Sequence, residues 1–141
     1  MSDESITDIQ RAIVEDFQYL DDWTDRYQYL IQLGRDLPPF PEDQQIEANR
    51  VHGCQARVWL LVEHRQGKLF FQATSDAAIV SGLIALLLKV YSGHTPDEIN
   101  AATPAFIDEI GLSQHLSPNR TNGLYNMLAR IQAEAAAYSS A

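Results

Sequence analysis

Ala56-Arg57-Val58-Trp59-Leu60-Leu61-Val62-Glu63-His64-Arg65-Gln66-Gly67-Lys68-Leu69-Phe70-Phe71-Gln72-Ala73-Thr74 decides the fold class. Two runs rich in β-branched and aromatic residues flank Gln66-Gly67, where glycine accepts the positive φ of a tight hairpin turn. Val58, Leu60 and Val62 alternate with Trp59, Leu61 and Glu63, so the first strand is apolar on both faces and its sheet is covered on part of its second side. A further short strand at residues 48–51 is expected to complete a small antiparallel sheet.

Helical signals lie on both sides of the hairpin. Upstream, Ile9, Ile13 and Phe17 form one stripe and Trp23, Tyr27, Leu30 and Ile31 another, so residues 7–36 read as two amphipathic helices joined near Leu20-Asp21-Asp22. Leu37-Pro38-Pro39-Phe40-Pro41 then forces an extended connection, because each proline removes a backbone donor and biases its predecessor away from the α region. Downstream, Ser75-Asp76 offers an N-cap for an apolar helix over 77–91, with Gly93 to stop it. Thr95-Pro96-Asp97-Glu98 is a capping box, Thr103-Pro104 opens a short helix ending at Gly111, and Ser117-Pro118 opens the last helix. Helices, hairpin, helices, with no repeat and no βαβ alternation, make an α+β single domain over residues 1–141, with residues 1–5 and 138–141 as frayed tails.

Composition removes whole classes of function. The 141 residues carry 10 Lys plus Arg against 19 Asp plus Glu, a net charge of −9, which opposes a nucleic-acid or anionic-membrane partner and fits docking to proteins with basic surfaces. The longest apolar run, residues 77–88, falls well short of the roughly 20 residues that span a bilayer. The polar, acidic start at Met1-Ser2-Asp3-Glu4-Ser5 lacks the basic and apolar regions of a secretory signal, so a reducing, cytoplasmic setting is expected. Cys54 is the one cysteine, which excludes an internal disulfide, a Cys-rich zinc site and a cluster held by this chain's own thiols. His64, His94 and His115 are scattered, with no metal-ligand spacing, and no Gly-rich phosphate loop or Gly-x-Ser-x-Gly elbow occurs.

Residue chemistry alone leaves Cys54 open between two readings. A solitary cysteine is commonly an inert, buried small hydrophobe. Yet Gly53 beside it permits a sharp turn that uncrowds the sulfur, and Arg50 and His52 are placed to favour a thiolate. Two local choices in the last helix also oppose stability. Arg120 faces the positive end of the helix dipole, and Gly123 in the first turns costs about 1 kcal/mol relative to alanine. Such conflicts mark functional sites or tight packing, and Gly123 is the better candidate for close packing. Asp76 is explained by capping alone.

Three segments together carry a resemblance: Val51-His52-Gly53-Cys54-Gln55-Ala56-Arg57-Val58-Trp59, Ser75-Asp76-Ala77-Ala78-Ile79-Val80-Ser81-Gly82-Leu83-Ile84-Ala85, and Gln114-His115-Leu116-Ser117-Pro118-Asn119-Arg120-Thr121-Asn122-Gly123-Leu124. In order and spacing they resemble the SufE family of sulfur-acceptor proteins, including CsdE, over residues 6–136. The resemblance implies an α+β fold similar to the IscU scaffold, with the thiol loop beside a small curved antiparallel sheet. It also implies that sulfur is accepted from a SufS- or CsdA-like cysteine desulfurase and passed toward a SufB-containing scaffold or another acceptor. No cofactor is implied for this chain, because the pyridoxal phosphate belongs to the desulfurase. Cys54 matches the acceptor cysteine; His52, Gly53, Gln55, Asp76, His115 and Arg120 match positions implied to shape the loop or support docking. Ala56 departs from the family's usual serine, and Asn119 from its common serine or threonine. Two other readings make separate demands. A cysteine hydrolase or transferase needs His52 or His115 within hydrogen-bond reach of Cys54, and a cluster scaffold needs about three cysteine-like ligands.

Overall fold

The computed structural model describes residues 5–54 and 56–139 and has the α+β architecture expected. Helices α1 (Ile6–Gln18) and α2 (Trp23–Arg35) begin at side-chain caps: Ser5 accepts from the Asp8 amide at 3.1 Å, and Asp22 from the Asp25 amide at 2.9 Å. Ser5, expected in a frayed tail, is therefore a helix cap, while residues 1–4 lie outside the described part. The proline-rich connection is followed by two short 3-10 turns, Glu42–Gln44 and Glu47–Asn49.

Strands β1 (Val58–Arg65) and β2 (Lys68–Ser75) pair antiparallel, with Val58 opposite Ser75 and Arg65 opposite Lys68. Gln66 (φ 53°) and Gly67 (φ 79°) both take positive φ, the mirror-image turn whose twist matches the strands it joins. Val58, Leu60, Leu69, Phe71 and Ala73 point to the core. The opposite face is part-covered by cations: the Arg50 guanidinium lies 5.5 Å from the Trp59 ring centroid and that of Arg65 4.1 Å from Phe70. The third strand expected at 48–51 does not form. Residues 47–49 wind into a 3-10 turn closed by the Arg50 amide on the Glu47 carbonyl at 3.0 Å, so the chain is not extended there and the sheet contact shrinks to one bridge, Arg50 opposite Trp59, while Arg130 donates to the carbonyls of Ala48 and Arg50.

Helix α3 (Ala78–Tyr91) is the centre of the molecule. Leu83, Ile84, Leu86, Leu87, Val90 and Tyr91 are all buried, which accounts for a strongly apolar sequence broken by Ser81, Gly82 and Lys89. Among the described residues no helix is long and apolar enough to cross a membrane. After α3 come α4 (Pro96–Ala101), α5 (Ala105–Ile110), α6 (Leu112–His115) and α7 (Pro118–Ser139); α2 and α7 pack on α3, α4 packs on α7, and α5 packs on α1. The expected capping box forms at Thr95 and Glu98, and Gly111, at φ 87°, ends α5 as expected. The start of α5 differs from expectation: Thr103 provides no cap. The buried Gln10 reaches across from α1, donating to the Thr103 carbonyl at 3.0 Å and accepting from the Phe106 amide at 3.1 Å. Tyr138 and Ser139, expected to fray, lie in α7. The Tyr138 ring packs on His64 at 4.7 Å, and Ser139 donates to the Asp97 carboxylate at 2.9 Å.

Candidate functional site

Cys54 lies in a loop whose two ends are tied together. The Val51 amide donates to the Val58 carbonyl at 2.9 Å, closing the loop at its base. Asp76 adds a second tie, accepting from the Arg57 amide at 3.0 Å while its own amide donates to the Arg57 carbonyl at 3.3 Å. This replaces the expected capping role. The residue at the N-cap of α3 is Ala77, which has no capping side chain, and Ser75 accepts from the Ala77 amide at 3.2 Å. Asp76 is thus bound to the base of the cysteine loop, where its carboxylate satisfies a backbone donor that the hairpin leaves over.

One face of α7 holds the segment leading to the thiol. Gly123, Asn126, Arg130 and Glu134 recur three and four residues apart, so they stack along one side of the helix. Arg130 donates to the Arg50 carbonyl at 3.0 Å and the Ala48 carbonyl at 3.2 Å, and Glu134 braces it at 3.0 Å. One turn earlier, Asn126 donates to the Gly53 carbonyl at 2.8 Å. One turn earlier again, the Gly123 carbonyl accepts from the Cys54 thiol at 3.6 Å. Gly53 has φ 88°, and a β-carbon there would collide with the Asn126 amide. Glycine is required at this position both for its backbone angle and for that approach. Ser117 caps α7 as expected, accepting from the Arg120 amide at 3.3 Å.

The thiol borders a cavity of about 350 Å³ between β1, α3 and α7. Its walls are apolar, built from Val58, Val80, Leu83, Ile84, Leu87, Leu124 and Met127, while Asp76, Asn119 and Arg120 are its exposed polar residues. Half-burial against this wall pushes the Cys54 thiol above its ordinary range, and the Arg50 charge only partly opposes that. The thiolate favoured by neighbouring basic residues is therefore not the resting form. A protonated sulfur donating to a carbonyl is the poorer nucleophile and the poorer target for oxidants.

The other expected residues separate into two groups. Gly53, Asp76 and Arg120 are brought to the loop or its cavity. His52 and His115 are engaged elsewhere. His52 is exposed and its Nε2 meets the Glu47 carboxylate at 2.7 Å; His115 stacks on Trp23 at 4.1 Å, and its Nδ1 lies 3.0 Å from the Gly111 carbonyl. Neither lines the cavity with Cys54, so the histidine base of a cysteine hydrolase is not assembled. Among the described residues no three metal-ligating side chains gather. Gln55 lies outside the described residues. Asn126, Arg130 and Glu134 belong to no motif in the sequence; their signal is their spacing from Gly123 on one helix face.

Comparisons with known proteins agree with one another. The SufE family profile, described as an Fe-S metabolism associated domain, matches residues 11–135. An uncharacterized SufE-like protein of Rhizobium meliloti (strain 1021) is 45% identical over 129 residues, covering 87% of this chain and 91% of the relative. Another from Synechocystis sp. is 42% identical over 126 residues, covering 89% and 79%. A solution structure of a hypothetical protein from Thermus thermophilus superposes with a TM-score of 0.77 at 26% identity, covering 94% of this chain and 97% of that one.

Proposed function

The chain belongs to the SufE family, associated with Fe-S metabolism, and from that premise we propose that it is a sulfur acceptor and carrier working through Cys54. The observation that carries the reading is the placement of the single thiol in a loop tied at its base, beside an apolar cavity that shelters it. In the reaction, the Cys54 thiolate attacks the terminal sulfur of a persulfide on a cysteine desulfurase. The partner's S–S bond breaks, the new S–S bond forms on Cys54, and the proton lost by Cys54 is taken up by the departing thiolate, so no net oxidant is needed. One sulfur suffices. A second cysteine nearby would resolve the product into a disulfide and release the sulfur as sulfide.

The partner is a SufS- or CsdA-like desulfurase, which brings its own pyridoxal phosphate and whose turnover rises when this chain relieves it of sulfur. The chain acts as a carrier and activator and catalyses no reaction alone, needs no cofactor, and hands its sulfur to a SufB-containing scaffold or an equivalent acceptor. A reducing cytoplasm suits a working free thiol. Asp76 and Arg120 border the cavity and serve docking or loop position, while His52, with Glu47, and His115, with Trp23, support the surface alongside. The test is intact mass after incubation with desulfurase and free cysteine. Whole-sulfur additions are expected on the wild type and none on Cys54→Ser. An unmodified wild type beside a desulfurase that turns over without stimulation overturns the reading.

A further inference from the structure

We propose that Asn126 is a positioning residue for sulfur transfer: its hydrogen bond to the Gly53 carbonyl is the latch that keeps Cys54 against the cavity, and its release presents the thiol. The loop has fixed ends and a releasable middle. Upstream, Arg130 bonds two carbonyls at once and is itself braced by Glu134, so the opening of one bond leaves the segment held by the others. Downstream, Asp76 holds both backbone groups of Arg57, and Val51 is bonded to Val58. Between these ties, among the described residues, residues 52–54 are joined to α7 by the Asn126 amide on Gly53 and by the weak thiol donor on the Gly123 carbonyl. The Gly53 backbone is turned by its positive φ onto Asn126, so the latch acts on the peptide immediately before the thiol.

Losing a single neutral hydrogen bond shifts such an equilibrium about fivefold. The role in transfer rests on the sulfur-acceptor reading, but the latch is measurable without a desulfurase. Asn126→Leu keeps the side chain's shape and removes the donor; Asn126→Ala removes both. Neither changes Arg50, His52, Arg57, Asp76 or Arg120, the charged and titratable groups of the loop and cavity. The rate of Cys54 alkylation by iodoacetamide is followed against pH in all three proteins, with urea midpoints to confirm that each is folded. Both variants are expected to react about fivefold faster than the wild type at neutral pH, with the midpoint of the pH profile moved down toward that of an exposed thiol. A purely structural side chain would leave that midpoint in place in Asn126→Leu. Wild-type rates and midpoint in the folded Leu variant overturn the latch. Faster alkylation together with failure of the wild type to accept sulfur would keep the latch and discard the acceptor reading; sulfur uptake with unchanged alkylation would do the reverse.

Discussion

Two glycine pairs serve this molecule in opposite ways. Where α2 crosses α3, Gly34 and Gly82 let two helix backbones touch: a β-carbon on Gly82 would strike the Leu30 carbonyl, and one on Gly34 would come within 2.7 Å of the Gly82 nitrogen. Leu30 and Leu87 are wholly buried in the same core. At the thiol, Gly53 supplies a positive φ, and Gly123 faces Cys54 with room to spare, since a β-carbon there would stand 3.7 Å from the sulfur. Close backbone contact makes the crossing rigid, because nothing there can shift without opening the core. The thiol is held by individual polar bonds of modest net strength, which open one at a time.

Adding one methyl to each glycine separates the two cases. Gly82→Ala is expected to have the largest effect, a loss of about 3 kcal/mol or more on urea unfolding, since overpacking here displaces backbone rather than a flexible side chain. Gly53→Ala is expected to cost about 1–2 kcal/mol for its left-handed backbone and to speed alkylation of Cys54 by pushing the loop off Asn126. Gly123→Ala should do the opposite, gaining up to about 1 kcal/mol from helix propensity with the new methyl in ordinary contact with the sulfur. A Gly123→Ala protein as damaged as Gly82→Ala would erase the distinction between the two regions.

The smallest effect is a pH dependence. Burial raises the Cys54 pKa in the folded state, so the native protein keeps its proton where the unfolded chain has lost it. That contribution is complete below the unfolded thiol's pKa and is lost as pH rises through the higher folded one. The wild-type urea midpoint should therefore fall relative to Cys54→Ser across the alkaline range. Tyr91, pushed up to about 12 by burial, titrates later and is common to both proteins.

Local chemistry made much of this legible in the sequence. The hairpin, α1 to α3, the Thr95–Glu98 capping box and the Ser117 cap are each specified by residues within a few positions of one another. The structure departs from expectation where the partner is distant in the chain. Gln10 caps α5 from some 96 positions away, and Arg130 reaches back some 80 positions to the carbonyls of Ala48 and Arg50. Asp76, a plausible helix cap by position, is taken instead by Arg57 at the other end of the hairpin. Cys54 was visible as the single thiol with glycine beside it, but its raised pKa was not. Arg50, whose charge opposes the rise, is close to it in sequence, whereas the apolar wall that outweighs that charge comes from β1, α3 and α7.

Native-state hydrogen exchange tests most directly the claim that the thiol loop opens while the core stays closed. Amides of buried α3 residues Leu83 to Leu87 should exchange only through global unfolding, with protection that falls steeply in urea. Measured beside them under the same conditions, labelling of the Cys54 thiol should be far faster and hardly respond to low urea, the signature of local opening. A Cys54 thiol protected to the same free energy as the α3 amides, with the same urea dependence, would contradict the account.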